Sequence, residues 1–339
     1  MSAVSDRRKR IDRIMSKISV LGCGGWGTAL SMLCADNDHE VVLWGKFTDE
    51  VNALKATRTT RLLEGVTVPS SIKITDNIND IKNSDVVIIA TPSFAVRETA
   101  QLIAPIIDQN TITVSVAKGF EKDTLNRFST VISQEISGSV VVLSGPSHAE
   151  EVARRIPTSI VAASDDMKAA ETIQQLLSNE RFRIYTNSDV IGVETGAALK
   201  NIIAVAAGIC DGLGLGDNTI AALVTRGINE MSAFGVKMGA LRETFSGLSG
   251  LGDLIVTCTS RHSRNRRFGK EIGAGMDVAS ALAKVGTVEG YFATDAAKRL
   301  SDGLCVEMPI INECYRVLYL GGACNEAINN LMNRSMKHE

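Results

Sequence analysis

Lys200 is the residue of this 339-residue chain best suited to moving a proton. It stands in Gly196-Ala197-Ala198-Leu199-Lys200-Asn201-Ile202-Ile203-Ala204-Val205, one ammonium in an otherwise apolar run. Burial disfavours the charged form of a lysine and brings its pKa down from about 10.4 toward neutrality, where it can supply a proton to a developing alkoxide. The same spacing also suits a snorkelling lysine with its head in solvent. Lys118 is the second candidate, at the end of the β-branched run 111–117 and followed by Gly119. A fixed charge there would stabilise a growing oxyanion and would further oppose charge on a lysine beside it. A strand-end lysine before glycine is equally at home in a plain loop.

Arg261-His262-Ser263-Arg264-Asn265-Arg266-Arg267 is the densest cationic cluster outside the first sixteen residues. Ser263, Arg264 and Asn265 would present donors at a helix start, and arginine suits a phosphate through paired hydrogen bonds; without the serine and asparagine it reads as a solvated basic face. Asp253 would accept from a substrate hydroxyl or from the Lys200 ammonium, or merely cap the next helix. His39, His148, His262 and His338 show no metal-ligand spacing, and neither do the seven cysteines, so no metal is expected. His148 lies near strand-end glycines without a carboxylate to orient it and reads as structural. Cys258 packs as a small apolar residue.

These groups need a scaffold, and Lys17-Ile18-Ser19-Val20-Leu21-Gly22-Cys23-Gly24-Gly25-Trp26-Gly27-Thr28 supplies its signature: a short apolar run, glycines, then helix formers. Gly22, Gly24 and Gly27 have the G-x-G-x-x-G spacing. The first allows a tight turn, the second lets backbone approach a pyrophosphate, and the third lets helix pack closely on strand. The helix start then offers free N–H groups to the anion. About 20 residues on, where an acid would select NAD, stands Lys46, whose charge suits a 2′-phosphate or is simply a solvated loop lysine. NADP is therefore at least as well served as NAD.

Strands follow at 40–45, 85–90, 111–117, 140–143, 159–163 and 182–185, several of them unbroken apolar runs as in a sheet covered on both faces. Helices are read at 28–35 and 166–177. From Ile191 onward the pattern is helical throughout, at 195–209, 218–234, 267–272, 278–284, 293–303, 309–320 and 324–332, with glycine- and aspartate-rich loops at 211–217 and 247–253. The fold class is α/β: a Rossmann-type amino-terminal domain with a mostly parallel sheet over 17–189, then an all-α domain over 190–339 that binds substrate.

Length alone suggests two domains. A net charge of −2, with 22% charged residues, excludes the global basic field of a nucleic-acid binder. Residues 1–16 carry a basic run without an apolar stretch and read as a disordered tail, with Met15 a possible true start, so residues 1–14 need not be native. No stretch reaches the roughly 18 apolar residues of a membrane helix, and scattered cysteines without a secretory signal suit a soluble, cytoplasmic protein.

The chain resembles the bacterial NAD(P)-dependent sn-glycerol-3-phosphate dehydrogenase family over 17–332, through Gly22 to Leu30, Ala117-Lys118-Gly119, Ser144-Gly145-Pro146, Ile191-Gly192-Val193 to Leu199-Lys200-Asn201, Gly250-Leu251-Gly252-Asp253-Leu254, Ser263 to Gly269 and Val288-Glu289-Gly290-Tyr291. The resemblance implies reversible reduction of dihydroxyacetone phosphate to sn-glycerol 3-phosphate, for phospholipid synthesis, by a homodimer with NAD or NADP as cofactor. It makes Lys200 and Lys118 catalytic. Gly145, Ser147, Asn201, Asp253, Thr257, Ser263, Arg264 and Asn265 join those lysines as substrate contacts. Gly22, Gly24, Gly25, Trp26, Gly27, Lys46, Lys118, Ala149, Arg264, Thr287 and Glu289 become cofactor contacts. Three departures stand out. Gly25 replaces a hydroxyl residue, Lys46 differs from the family's other residues there, and 286–289 is one residue short, which loosens the carry-over to Thr287. Alternative readings are a related dehydrogenase acting on a hydroxy acid or nucleotide sugar, and a non-catalytic NAD(P) sensor, which would have no need of two lysines in one cleft.

Overall fold

A computed structural model describes residues 15–336 and 338. The basic segment 1–14 lies outside the described residues. Its expected continuation to residue 16 needs correcting, because Ser16 is buried and its carbonyl accepts from the Glu40 N–H, extending the first strand pair.

Strand β1 (Lys17–Leu21) leads through the glycine turn into α1 (Gly25–Asp36), then β2 (Glu40–Trp44), α2 (Thr48–Thr57), β3 (Lys73–Thr75), β4 (Val86–Ile89), α3 (Val96–Ile103), β5 (Ile112–Ser115), α4 (Phe128–Glu135), β6 (Val140–Ser144), α5 (Ala149–Val152), β7 (Thr158–Ala163), α6 (Met167–Leu177) and β8 (Phe182–Asn187). They form one eight-stranded sheet in the order β3-β2-β1-β4-β5-β6-β7-β8. Pairing is parallel except between β6 and β7. This is the mostly parallel Rossmann-type sheet expected. The strand order reverses between β1 and β4, and ligands in such sheets bind at that switch, beyond the carboxyl ends.

Near-continuous Val and Ile runs are stable here because both faces are covered. One core holds Ile18, Val20, Leu43 and Ile88 with Ala29, Leu30 and Leu33 of α1, and a second holds Leu21, Val87 and Ile89 with Val96, Ala100 and Val131 on the other face. Sequence patterning missed α2, α3, α4, α5 and β3. Helix α2 buries only Val51 and Leu54, so its apolar stripe is too narrow to see.

The remainder is helical among the described residues: α7 (Val190–Gly212), α8 (Asp217–Lys237), α9 (Asp253–Thr259), α10 (Arg264–Gly273), α11 (Val278–Val285), α12 (Glu289–Leu304), α13 (Pro309–Leu320) and α14 (Cys324–Met332). Two corrections bear on the site. Helix α7 begins at Val190, capped by Asp189, whose side chain accepts from the Gly192 N–H at 2.8 Å. The supposed loop 247–253 is instead a π-helical turn, Leu248–Gly252, running directly into α9. Glycine-rich composition argued for a loop, but close packing of Gly250 on the Phe245 backbone favours the wound turn.

Helix α7 is the axis of the helical part. Against the expectation that no stretch is long and apolar enough to cross a membrane, this helix is, with Glu194 and Lys200 interrupting a mostly apolar length; yet nearly all of it is buried inside the fold. Its first turns, Val190 and Val193, pack on Val142, Val161 and Ala163 of the sheet. Its later turns cross α10 at backbone contact: a Cβ on Gly208 would stand 2.0 Å from the Arg266 carbonyl oxygen, and one on Gly269 2.0 Å from that of Val205.

Candidate functional site

The glycine turn has the build an anion needs. Gly22 has φ +117°, a region that favours glycine, and a Cβ there would lie 2.7 Å from the Ala90 carbonyl oxygen. Gly27 could carry no Cβ either, since it would stand 1.9 Å from the Gly22 oxygen. A Cβ on Gly24, by contrast, would meet nothing within 4 Å. Helix α1 starts with no side-chain cap and no acidic residue in its first turn. Its leading N–H groups and its dipole are therefore left to an external anion. Gly25 and Ala149 lie side by side at this cradle, and Trp26 packs against the core below it.

Lys118 and Lys200 meet at Asp253. Lys118 Nζ donates to Asp253 Oδ2 at 2.7 Å, and Lys200 Nζ lies 3.0 Å from Oδ1. Lys200 also donates to Thr257 Oγ1 at 2.7 Å and to Asn201 Oδ1 at 3.1 Å. At 4% exposure Lys200 does not snorkel. Burial brings its ammonium down to a pKa of about 8; Asp253 opposes that fall and the Lys118 charge adds to it. Burial pushes the Asp253 carboxyl up, but the two ammoniums outweigh it and hold it below the ordinary value. Helix periodicity explains the cluster on α9, where Asp253 and Thr257 are four residues apart and share a face.

Asn201 carries the network onward. Its Oδ1 accepts from Asn265 Nδ2 at 2.9 Å, and Asn265 Oδ1 accepts from the Gly290 N–H at 2.8 Å. The close α7–α10 crossing brings Asn265 within reach; Gly208-x-x-x-Gly212 facing Gly269-x-x-x-Gly273 is a signal of that crossing which the sequence analysis did not use. Ser263 caps α10 by accepting from the Arg266 N–H, while Arg264, the first residue of that helix, stays exposed. The Arg264 charge acts on Glu289, which is pushed up by burial and held back by a hydrogen bond from Ser93 Oγ at 2.8 Å. Ser93 lies just past the carboxyl end of β4, and its partner Glu289 is 196 residues away, so local spacing gave no sign of their bond. Glycine turn, lysine pair and the Ser93–Glu289 bond all border the carboxyl ends of the strands.

Other expected residues sit apart or make local contacts. Gly145 has φ +139° against Ile160, and Ser147 Oγ donates to its carbonyl at 3.0 Å. Lys46 is exposed and paired with Glu98 at 2.6 Å. Thr287 is exposed just ahead of α12. Cys258 is buried, and burial pushes its thiol up to about 12, which leaves it without thiolate character. His148 is lowered by burial first, and by the charges of Lys200 and Lys118; its ring lies 5.8 Å from that of His262. A cavity of about 1160 Å³ opens between the amino ends of β4 and β5 and the α6–β8 connection, and none of the residues named above as chemical lines it except His39.

Comparison with known proteins places these residues in context. Residues 17–170 match the family model described as the NAD-dependent glycerol-3-phosphate dehydrogenase N-terminus, and residues 189–329 match its C-terminus. A glycerol-3-phosphate dehydrogenase of the NAD(P)+ type from a Thermoanaerobacter species is 49% identical over 325 residues, covering 95% of this chain and 98% of that protein. One from Bacillus velezensis is 48% identical over 334 residues, 96% of each. The crystal structure of glycerol-3-phosphate dehydrogenase from Coxiella burnetii superposes with a TM-score of 0.91 at 36% identity, over 94% of this chain and 99% of that one.

Proposed function

The chain belongs to the NAD-dependent glycerol-3-phosphate dehydrogenase family, and on that premise we propose how its own residues perform the reaction. The protein is an NAD(P)-dependent oxidoreductase that interconverts dihydroxyacetone phosphate and sn-glycerol 3-phosphate, the latter for phospholipid synthesis. The cofactor, when bound, supplies or accepts the hydride. The open cradle at Gly24, beside Gly25 and Ala149, suits its pyrophosphate, while Glu289 and Ser93 would border its reactive end.

Lys200 Nζ gives a proton to the alkoxide oxygen during reduction and takes it back during oxidation. Its pKa of about 8 lets it hold or release that proton close to neutrality. Asp253 fixes the ammonium without taking its proton, since the carboxyl stays ionised between two cations. Lys118, still partly open to the cleft, stabilises negative charge on the substrate oxygen. Arg264, with the donors of Ser263 and Asn265 beside it, receives the phosphate. A homodimer and a cytoplasmic location complete this reading, by analogy with the family and from seven free thiols.

The observation that carries the proposal is the convergence of both lysines on the buried Asp253 carboxylate. Lys200→Met is expected to lower turnover by about 100- to 10,000-fold while NADPH still binds, followed by fluorescence. Turnover near the parent rate would remove Lys200 from the chemistry. Arg264→Ala should raise KM for dihydroxyacetone phosphate far more than for dihydroxyacetone; equal effects on both would take the phosphate away from Arg264.

A further inference from the structure

We propose that Glu194 is a positioning residue: from α7 it caps α4 across the molecule and so holds the loop that carries Lys118 against Asp253 and Lys200. The inference rests on the reading of Lys200 given above. Glu194 touches neither lysine, yet its side chain is only 3% exposed. A buried carboxylate is retained at a cost unless it is fully paired, and here all of its pairing goes to one short segment. Glu194 Oε2 accepts from Arg127 Nη1 at 2.6 Å and from Ser129 Oγ at 2.6 Å, and Oε1 accepts from the Ser129 N–H at 2.8 Å. That N–H belongs to the first turn of α4, which has no acidic residue of its own and no cap from the Arg127 side chain. A carboxylate from another element does the capping instead.

Arg127 leads back to the site. Its backbone bridges that of Phe120 in an antiparallel pair, and the Glu121 N–H donates to the Asn126 carbonyl at 2.9 Å, closing the loop 120–127. Phe120 is two residues from Lys118. It is buried in the helical core, edge-on to Phe234 at 6.5 Å. The strand-end loop is thus pinned to the helical half at both ends of its hairpin, and the Lys118 ammonium arrives at Asp253 already placed. With Glu194 unable to hold Arg127 and Ser129, the loop would relax and Lys118 would leave Asp253 to Lys200 alone.

The remaining groups facing Lys200 are Asp253, Thr257 and Cys258 of α9, Asn201 of its own helix, and His148 before α5. None of them is bonded to Glu194, so a changed Lys200 titration reports the loss of Lys118. That ammonium opposes charge on Lys200. Its withdrawal raises the pH at which Lys200 loses its proton, and the alkaline limb of kcat/KM for reduction moves upward.

The experiment uses the full chain as Glu194→Gln, Arg127→Met and Lys200→Met, with rates normalised to NADPH sites counted by fluorescence titration. We expect both Glu194→Gln and Arg127→Met to lower kcat by about 10- to 100-fold, to leave NADPH binding in place and to shift the alkaline limb upward. Loss of stability alone would change the number of sites and not that limb. Unaltered kcat per site, or a reduced kcat with an unmoved limb, overturns the proposal. Arg127 is partly exposed, so Arg127→Met decides the matter should Glu194→Gln fail to fold. An active Lys200→Met would instead bring down the reading of the lysine itself, whereas an inert Lys200→Met beside parent-like Glu194 and Arg127 variants would bring down this inference alone.

Discussion

At the scale of single residues the chemistry depends on how few partners a buried charge is given. Lys200 is a base close to neutrality because burial lowers it and one carboxylate, shared with a second ammonium, cannot restore it. The sign of the pH dependence follows. Reduction needs the protonated amine, so its kcat/KM should fall as pH rises through about 8. Oxidation needs the free amine and should rise over the same range. Opposite limbs in the two directions, measured at saturating cofactor, check this; limbs of the same sense would assign them to another group. Lys46 makes the contrasting case. It is more than half exposed and paired directly with Glu98 at 2.6 Å, a surface ion pair that contributes little to stability and that a 2′-phosphate can displace. Lys46→Ala should weaken NADPH several-fold more than NADH, about 1 kcal/mol, and salt of about 0.5 M should weaken the parent's binding of NADPH more than of NADH by screening.

Elements place those residues, and glycine decides how closely they approach one another. Gly24 and Gly27 differ by three positions yet predict opposite consequences for one added methyl. Gly24→Ala should leave melting nearly unchanged, because the space is open, and should weaken the cofactor by crowding its pyrophosphate. Gly27→Ala drives a methyl into the Gly22 carbonyl and should cost about 1–3 kcal/mol of stability or more. Thermal melts with and without NADPH separate the two; a stable Gly27→Ala would mean that α1 does not sit on the turn as described. The α7–α10 crossing follows the same rule, since Gly208 and Gly269 let two backbones touch and bring Asn265 to Asn201.

Across the whole molecule, α7 makes the sheet and the helices one folding unit. Val190 and Val193 close the sheet core beside β6 and β7, while Ile202 and Ile203 lie in the helical core. A chain ending at residue 188 should therefore expose Val142, Val161 and Ala163 and associate or melt early, whereas one ending at 212 keeps that face covered. Size-exclusion chromatography and thermal melts distinguish them, and a monomeric, stable shorter chain would deny α7 this role. Much of this was legible in the sequence by itself: the strands, because both-face burial demands unbroken apolar runs; the glycine turn, because no other residue tolerates the contacts made at Gly22 and Gly27; and the lysine in an apolar helix, because its cost marks it. Tertiary structure alone decided that Lys200 is buried, that Asp253 stands between two lysines, and that Ser93, Glu194 and Arg127 are bonded as they are. Each of these depends on a partner distant in the chain, and the free energy of a buried charge is set by that partner, which local spacing does not encode.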